Sequence, residues 1–179
     1  MDFEIKSLSN SQMNLEEVII NQLIQKHLSL ATAESCTGGL IAHRLTNVSG
    51  ASTVFIGGIV AYSNEVKKSL LDVLESSLIK YGAVSNTVAL EMALGVSKRL
   101  HSNIGVGITG IAGPTGGTPE KPVGLVYISV VVLPFDIQIV KEFHFNGTRS
   151  EIKQQTSDTA LNLLLNIINC IKEKEDSHE

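Results

Sequence analysis

Leu30 to Leu40, Leu-Ala-Thr-Ala-Glu-Ser-Cys-Thr-Gly-Gly-Leu, constrains this chain more than any other stretch. Small and apolar residues run up to Glu34, a polar cluster Glu34-Ser35-Cys36-Thr37 follows, and Gly38-Gly39 opens a segment with apolar Leu40, Ile41, Leu45 and Val48. The pattern reads as strand, tight turn, helix. Such a turn aims free backbone N–H groups and the positive end of a helix at whatever lies above Ser35, which would stabilise an anion or a developing oxyanion. Ser35 is therefore the first candidate nucleophile. The local alternative is that Ser35 or Thr37 only caps the helix, as serine and threonine often do.

Composition narrows the partners. A chain of 179 residues suits one domain with a sizeable core. The formal net charge is −4, with lysines and arginines scattered, so there is no electrostatic footprint for nucleic acid. Met1 to Lys6 lacks the basic and apolar regions of a signal peptide, and no apolar run approaches the roughly 20 residues of a membrane span. A cytoplasmic location without a membrane partner is expected. Cys36, Cys170 and the histidines at 27, 43, 101, 144 and 178 lack ligand spacing, which argues against a metal site.

Residues 1–14 read as a loose leader, 15–172 as a single domain and 173–179 as a frayed tail. Asn14 precedes an amphipathic helix carrying Leu15, Val18, Ile19 and Leu23 and ending near His27. Val54 to Tyr62 reads as a buried strand whose two glycines point to a bulge or close backbone approach. Ser63 or Asn64 would cap a short helix through Leu71, with Lys67 in its first turn. The helix dipole disfavours a cation there by about 0.3–1 kcal/mol and so favours the neutral amine. Alternatively, Lys67 is one of two adjacent surface lysines.

Ser85 is expected to cap a helix with Val88, Met92, Val96 and Leu100 on one face. Ile104 to Thr109 alternates glycine with β-branched residues and leads into a loop, Gly110 to Gly124, rich in glycine and proline. Its N–H groups can form an anion-binding nest, although it matches neither a Walker A loop nor a Rossmann fingerprint and could simply join two strands. Leu125–Leu133 and Ile137–Phe145 form a hairpin through Pro134-Phe135-Asp136, and Asn146 to Ser150 turns into a long helix with Ile152, Ala160, Leu164 and Ile168 on one stripe. Alternating helices and strands followed by paired strands give an α/β fold class, a three-layer α/β/α sandwich around one mixed β-sheet.

No Ser-His-Asp order can be argued from these histidines, so a hydrolytic serine needs another base. Lysine serves only when neutral. Bringing its pKa from about 10.4 to near 7 or 8 takes roughly 3 to 5 kcal/mol, more than a helix dipole supplies, so burial must provide most of it.

Five motifs stand in one order: Thr32-Ala33-Glu34-Ser35-Cys36-Thr37-Gly38-Gly39, Tyr62-Ser63-Asn64-Glu65-Val66-Lys67, Gly82-Ala83-Val84-Ser85, Thr109-Gly110-Ile111-Ala112-Gly113-Pro114 and Lys121-Pro122-Val123-Gly124. Together they resemble the CinA C-terminal domain family, the nicotinamide-nucleotide amidases, over roughly Leu15 to Ile171. The resemblance implies a CinA C-terminal-like fold and hydrolysis of nicotinamide mononucleotide to nicotinate mononucleotide and ammonia, in pyridine nucleotide salvage. It implies a serine nucleophile and a lysine base without metal or other cofactor. Carried onto this chain, the nucleophile is Ser35 and the base Lys67, with Tyr62 close to both. Backbone N–H groups near Cys36 to Gly39 would hold the oxyanion. Thr37, Gly38, Gly39, Thr109 and Gly110 would bind substrate, and Arg149 would pair with its phosphate.

The implied partner is a small nucleotide, and the apolar helices suggest a homodimer or higher homo-oligomer. Many family members have Gly-Asp-Arg before the last helix, whereas this chain has Gly147-Thr148-Arg149, keeping the arginine and losing the carboxylate. Longer members carry an N-terminal domain resembling molybdopterin-binding proteins, and this chain, which starts at the amidase-like part, is expected to lack that domain's activity. Two other functions fit the same residues, a catalytically silent nucleotide-binding or regulatory module and an amidase for another amide.

Overall fold

Residue 14 to residue 171 are described by the computed structural model, in which a five-stranded sheet lies between two layers of helices. The expected loose leader, apart from Asn14, and the expected frayed tail lie outside the described residues. Asn14 accepts a hydrogen bond from the Glu17 amide while its own amide donates to the Glu17 carboxylate. This capping box starts helix α1 (Leu15–Gln25), which buries Ile19, Ile20 and Leu23.

Strand β1 (Leu30–Glu34) is buried along its whole length. It runs parallel to β2 (Phe55–Val60) on one side and to β3 (Ile104–Gly110) on the other. β3 pairs antiparallel with β4 (Leu125–Val132), and β4 pairs antiparallel with β5 (Ile137–His144), giving the order β2-β1-β3-β4-β5. Helices α1, α2 (Leu40–Thr46) and α6 (Arg149–Cys170) pack on one face of the sheet. On the other lies α5 (Asn86–Arg99), with α3 (Asn64–Leu71) and α4 (Glu75–Tyr81) resting on it. The expected sandwich around a mixed sheet is the observed one.

The alternation in β3 explains how closely the layers approach. Ile104, Val106 and Ile108 enter the core shared with α1, α2 and α6, each buried side chain contributing about 1.5–3 kcal/mol. Gly105 and Gly107 face the backbone of α5, where a Cβ on Gly107 would lie 2.3 Å from the Ala89 carbonyl oxygen. At Gly95 of α5 a Cβ would lie 1.9 Å from the carbonyl oxygen of Leu71, so the C-terminal end of α3 sits directly on this glycine. Helix propensity alone favours alanine there by about 1 kcal/mol. Overpacking against immobile backbone outweighs it, and Gly95→Ala is expected to destabilise the protein by about 1–3 kcal/mol, read by chemical denaturation. An unchanged or raised stability would mean that α3 is not held at this point.

Two elements differ from the sequence reading. β2 is an edge strand of the sheet, and Ile56 and Val60 are about half exposed (49% and 48%), because the seven-residue α2 covers only part of that face. Its pairing with β1 skips Ile56, Leu30 facing Phe55 and Ala31 facing Gly57, the irregularity that the adjacent glycines pointed to. Helix α4 carries no apolar stripe to announce it, since Ser77 is its one buried residue and Ile79 is 81% exposed. The three parallel strands end at the same edge of the sheet, where α/β folds commonly bind ligands.

Candidate active site

Ser35 follows the last residue of β1 directly, and its amide donates to the Ile108 carbonyl of β3 at 3.0 Å, so the serine is held where the sheet stops. Ala61 and Tyr62 follow β2 in the same way, and the Ser63 hydroxyl caps α3 by accepting from the Val66 amide at 3.2 Å. One turn into α3, Lys67 folds back beneath that junction and is only 2% exposed. Its Nζ lies 3.2 Å from Ser35 Oγ, 2.7 Å from the Ala61 carbonyl and 3.5 Å from the Tyr62 carbonyl. Among the described residues it forms no ion pair, whereas its neighbour Lys68 lies against Glu65 and Glu75 at the surface. Burial pushes the Lys67 ammonium below the ordinary lysine range, and Cys36 opposes this weakly. A neutral amine has two N–H donors and one lone pair, so two carbonyls and one serine hydroxyl satisfy it.

Neither Ser35 nor Thr37 caps α2. Gly39 occupies the N-cap position with φ +92°, and the buried Glu34 carboxylate accepts from the amides of Gly39 (2.9 Å), Ile41 (3.2 Å) and Ala42 (2.8 Å). The positive end of the helix is thus occupied by a side chain of the protein itself. Gly38 N–H is also engaged, with the Ser35 carbonyl at 3.1 Å. Of the four amides expected to face an oxyanion, those of Cys36 and Thr37 alone donate to no oxygen of the described residues. Glu34 had no assigned role in the sequence reading. Its signal was an acidic residue ending a small, apolar strand just before two glycines.

Ser35, Cys36, Lys67, Thr109, Gly110 and Arg149 share a cavity of about 320 Å³ with Tyr62, Asn64, Ala83, Val84 and the glycine loop from Ile111 to Gly113 and at Thr115-Gly116. The buried Thr109 is held by donation from its hydroxyl to the Ala83 carbonyl at 2.8 Å. Arg149, the first residue of α6, spans the rim, donating to the Gly113 carbonyl and to the Tyr62 hydroxyl, both at 2.7 Å. Tyr62 therefore meets Lys67 through its backbone carbonyl, while its ring points to the rim and is 63% exposed. Thr37, Gly38 and Gly39 are not brought into the cavity wall. The Thr37 hydroxyl is buried without a hydrogen-bond partner among the described residues, and a Cβ on Gly38 would approach Lys153 Nζ at 3.4 Å. The lost carboxylate before α6 has a structural substitute, because Thr148 caps the helix in a box with Glu151.

Cys36 touches this site without the properties of a nucleophile. It is 5% exposed, and burial pushes its thiol up to about 12, so it is protonated at neutral pH. No helix among the described residues is long and apolar enough to cross a membrane.

A serine beside a buried lysine with no acidic partner among the described residues, at the carboxyl ends of three parallel strands in a three-layer sandwich, defines the class of this α/β domain. The chain belongs to the CinA C-terminal domain family, whose sequence model matches residues 12–168. It is 49% identical over 151 residues to a CinA-like protein of Kosmotoga olearia, which covers 84% of this chain and 36% of that protein. Over 153 residues it is 48% identical to a CinA-like protein of Dictyoglomus turgidum, covering 86% and 37%. The chain thus spans little more than a third of the length of these relatives. Among solved structures it is similar to the competence/damage inducible protein CihA of Agrobacterium tumefaciens, with 41% identity, a TM-score of 0.82 and coverage of 87% of this chain and 95% of that one. A CinA superfamily protein of Escherichia coli gives 33% identity, a TM-score of 0.83 and coverage of 86% and 88%.

Proposed function

We propose that this domain is an amidohydrolase that converts nicotinamide mononucleotide to nicotinate mononucleotide and ammonia. The observation that carries the proposal is the Ser35 Oγ to Lys67 Nζ distance of 3.2 Å, with the amine buried and paired with no carboxylate among the described residues. Neutral Lys67 takes the hydroxyl proton of Ser35 as Oγ attacks the carboxamide carbon. Cys36 lines the cavity, and its amide, which donates to no oxygen of the described residues, serves the oxyanion. The lysinium then returns its proton to the departing nitrogen, the C–N bond breaks, and ammonia leaves a serine ester. Water attacks that ester with Lys67 again taking a proton, and Ser35 is regenerated with the product carboxylate. Arg149 swings from its carbonyl and phenol partners to the substrate phosphate, for which its planar fork is suited, and Thr109, Gly110 and the following loop enclose the nucleotide.

Purified protein is expected to release ammonia from nicotinamide mononucleotide without added metal. Ser35→Ala is expected to bind the nucleotide, measured by calorimetry, and to release none. Binding by the wild type without turnover would instead indicate a nucleotide-binding module, and release by Ser35→Ala would remove the serine from the mechanism. In this reading the protein acts as a homodimer or higher homo-oligomer, which its apolar helices suggest, in the cytoplasm and without nucleic acid or membrane partners. Sedimentation of the purified protein tests the first of these.

A further inference from the structure

We propose that Lys121 is a positioning residue that sets the width of the substrate cavity, and that it controls substrate binding and not the chemical step. The inference rests on the amidase reading above. Its side chain is half-buried, and Nζ donates to the Tyr81 carbonyl at 2.5 Å and to the Val84 carbonyl at 2.7 Å. Tyr81 is the last residue of α4, so the ammonium sits at the negative end of that helix. Gly82 leaves the space for it, since a Cβ there would lie 3.0 Å from Nζ.

This contact joins two segments far apart in sequence. Lys121 closes a turn with Thr118, whose amide donates to the Lys121 carbonyl at 2.8 Å and whose hydroxyl accepts from the Lys121 amide at 3.0 Å. The turn continues directly from Thr115 and Gly116, which line the cavity. Ala83 and Val84 line it too, and the Ala83 carbonyl holds Thr109. Two segments that line the cavity are therefore fastened through one ammonium group. At its other end the same loop is fastened by Arg149, at the Gly113 carbonyl. Lys121 itself is absent from the cavity lining and touches neither Ser35 nor Lys67, so its loss loosens the pocket and leaves the nucleophile and base in place. A methionine keeps the stem and removes the clamp, while an arginine restores donors for the two carbonyls.

The test compares wild type, Lys121→Met and Lys121→Arg in ammonia release from nicotinamide mononucleotide and in hydrogen exchange of the Thr118 amide. Lys121→Met is expected to raise KM at least about tenfold while kcat stays within about threefold and its pH dependence is unchanged. Exchange at Thr118 should accelerate in the same variant, and Lys121→Arg should bring both readouts back towards wild type. An unchanged KM, a fall in kcat at constant KM, or unchanged exchange at Thr118 would each overturn the proposal. If the wild type neither binds nor hydrolyses the nucleotide, the amidase reading fails together with the substrate-binding role, and the exchange measurement alone then decides whether Lys121 is a clamp.

Discussion

Lys67→Met is expected to lower ammonia release from nicotinamide mononucleotide by at least about a hundredfold and, in the same protein, to raise the unfolding temperature at neutral pH. The first effect follows from removing the proposed general base, a role that commonly contributes 10²–10⁴-fold. The second follows from burial, because a lysine that is 2% exposed and paired with no carboxylate among the described residues costs folding free energy that an apolar side chain of similar length does not. The proposed mechanism requires the neutral amine, so the rate is expected to rise with pH as Lys67 loses its proton. That limb lies below the pH range in which an ordinary lysine titrates, because burial lowers its pKa in the folded protein.

The stability effect has its own pH dependence. Between the lowered folded pKa and the unfolded value near 10.4 the unfolded chain binds more protons, so wild-type stability rises with pH across that interval. Below the folded pKa the full penalty is present. The advantage of Lys67→Met over wild type should therefore shrink as pH rises through this window, which thermal unfolding at a series of pH values would measure. Retained activity in the variant would remove Lys67 as the base. An advantage that grew with pH would mean that the amine is not penalised by burial.

Glu34→Gln is the second large effect, expected to cost about 2 kcal/mol of stability, or roughly 4–8 °C in unfolding temperature, and at least about tenfold in ammonia release. The buried carboxylate accepts three amides at the start of α2, and an isosteric amide keeps one acceptor oxygen while turning donors towards donors. Ser35 is the next residue, so the turn that aims its hydroxyl at Lys67 relaxes with the cap. Full activity in a protein of unchanged stability would show that the turn holds itself without the carboxylate.

The parts of this molecule that repeat were readable along the chain. Apolar spacing marked α1, α5 and α6, the glycine alternation marked β3, and a hairpin signal marked β4 and β5, because each element shows its periodicity to the residues beside it. α4 was not readable, since it buries almost nothing of its own. The half exposure of β2 was also hidden, because whether a strand lies at an edge depends on which neighbours the topology supplies. At the site, Ser35 and the glycine loop announced themselves by residue type. Thr37, Gly38 and Gly39 did so as well, yet they do not line the cavity, and the helix end is taken by Glu34.

By itself, the sequence determined the α/β layering, the strand–turn–helix at Ser35 and the requirement that any lysine base be buried. Only the tertiary structure decided that Lys67, 32 residues further along, is buried against Ser35, because the loops after β1 and β2 meet at one edge of the sheet and close over its amine. Desolvation belongs to the assembled layers and to no local stretch of chain, so a surface-looking Lys67-Lys68 pair becomes one buried amine and one solvated cation.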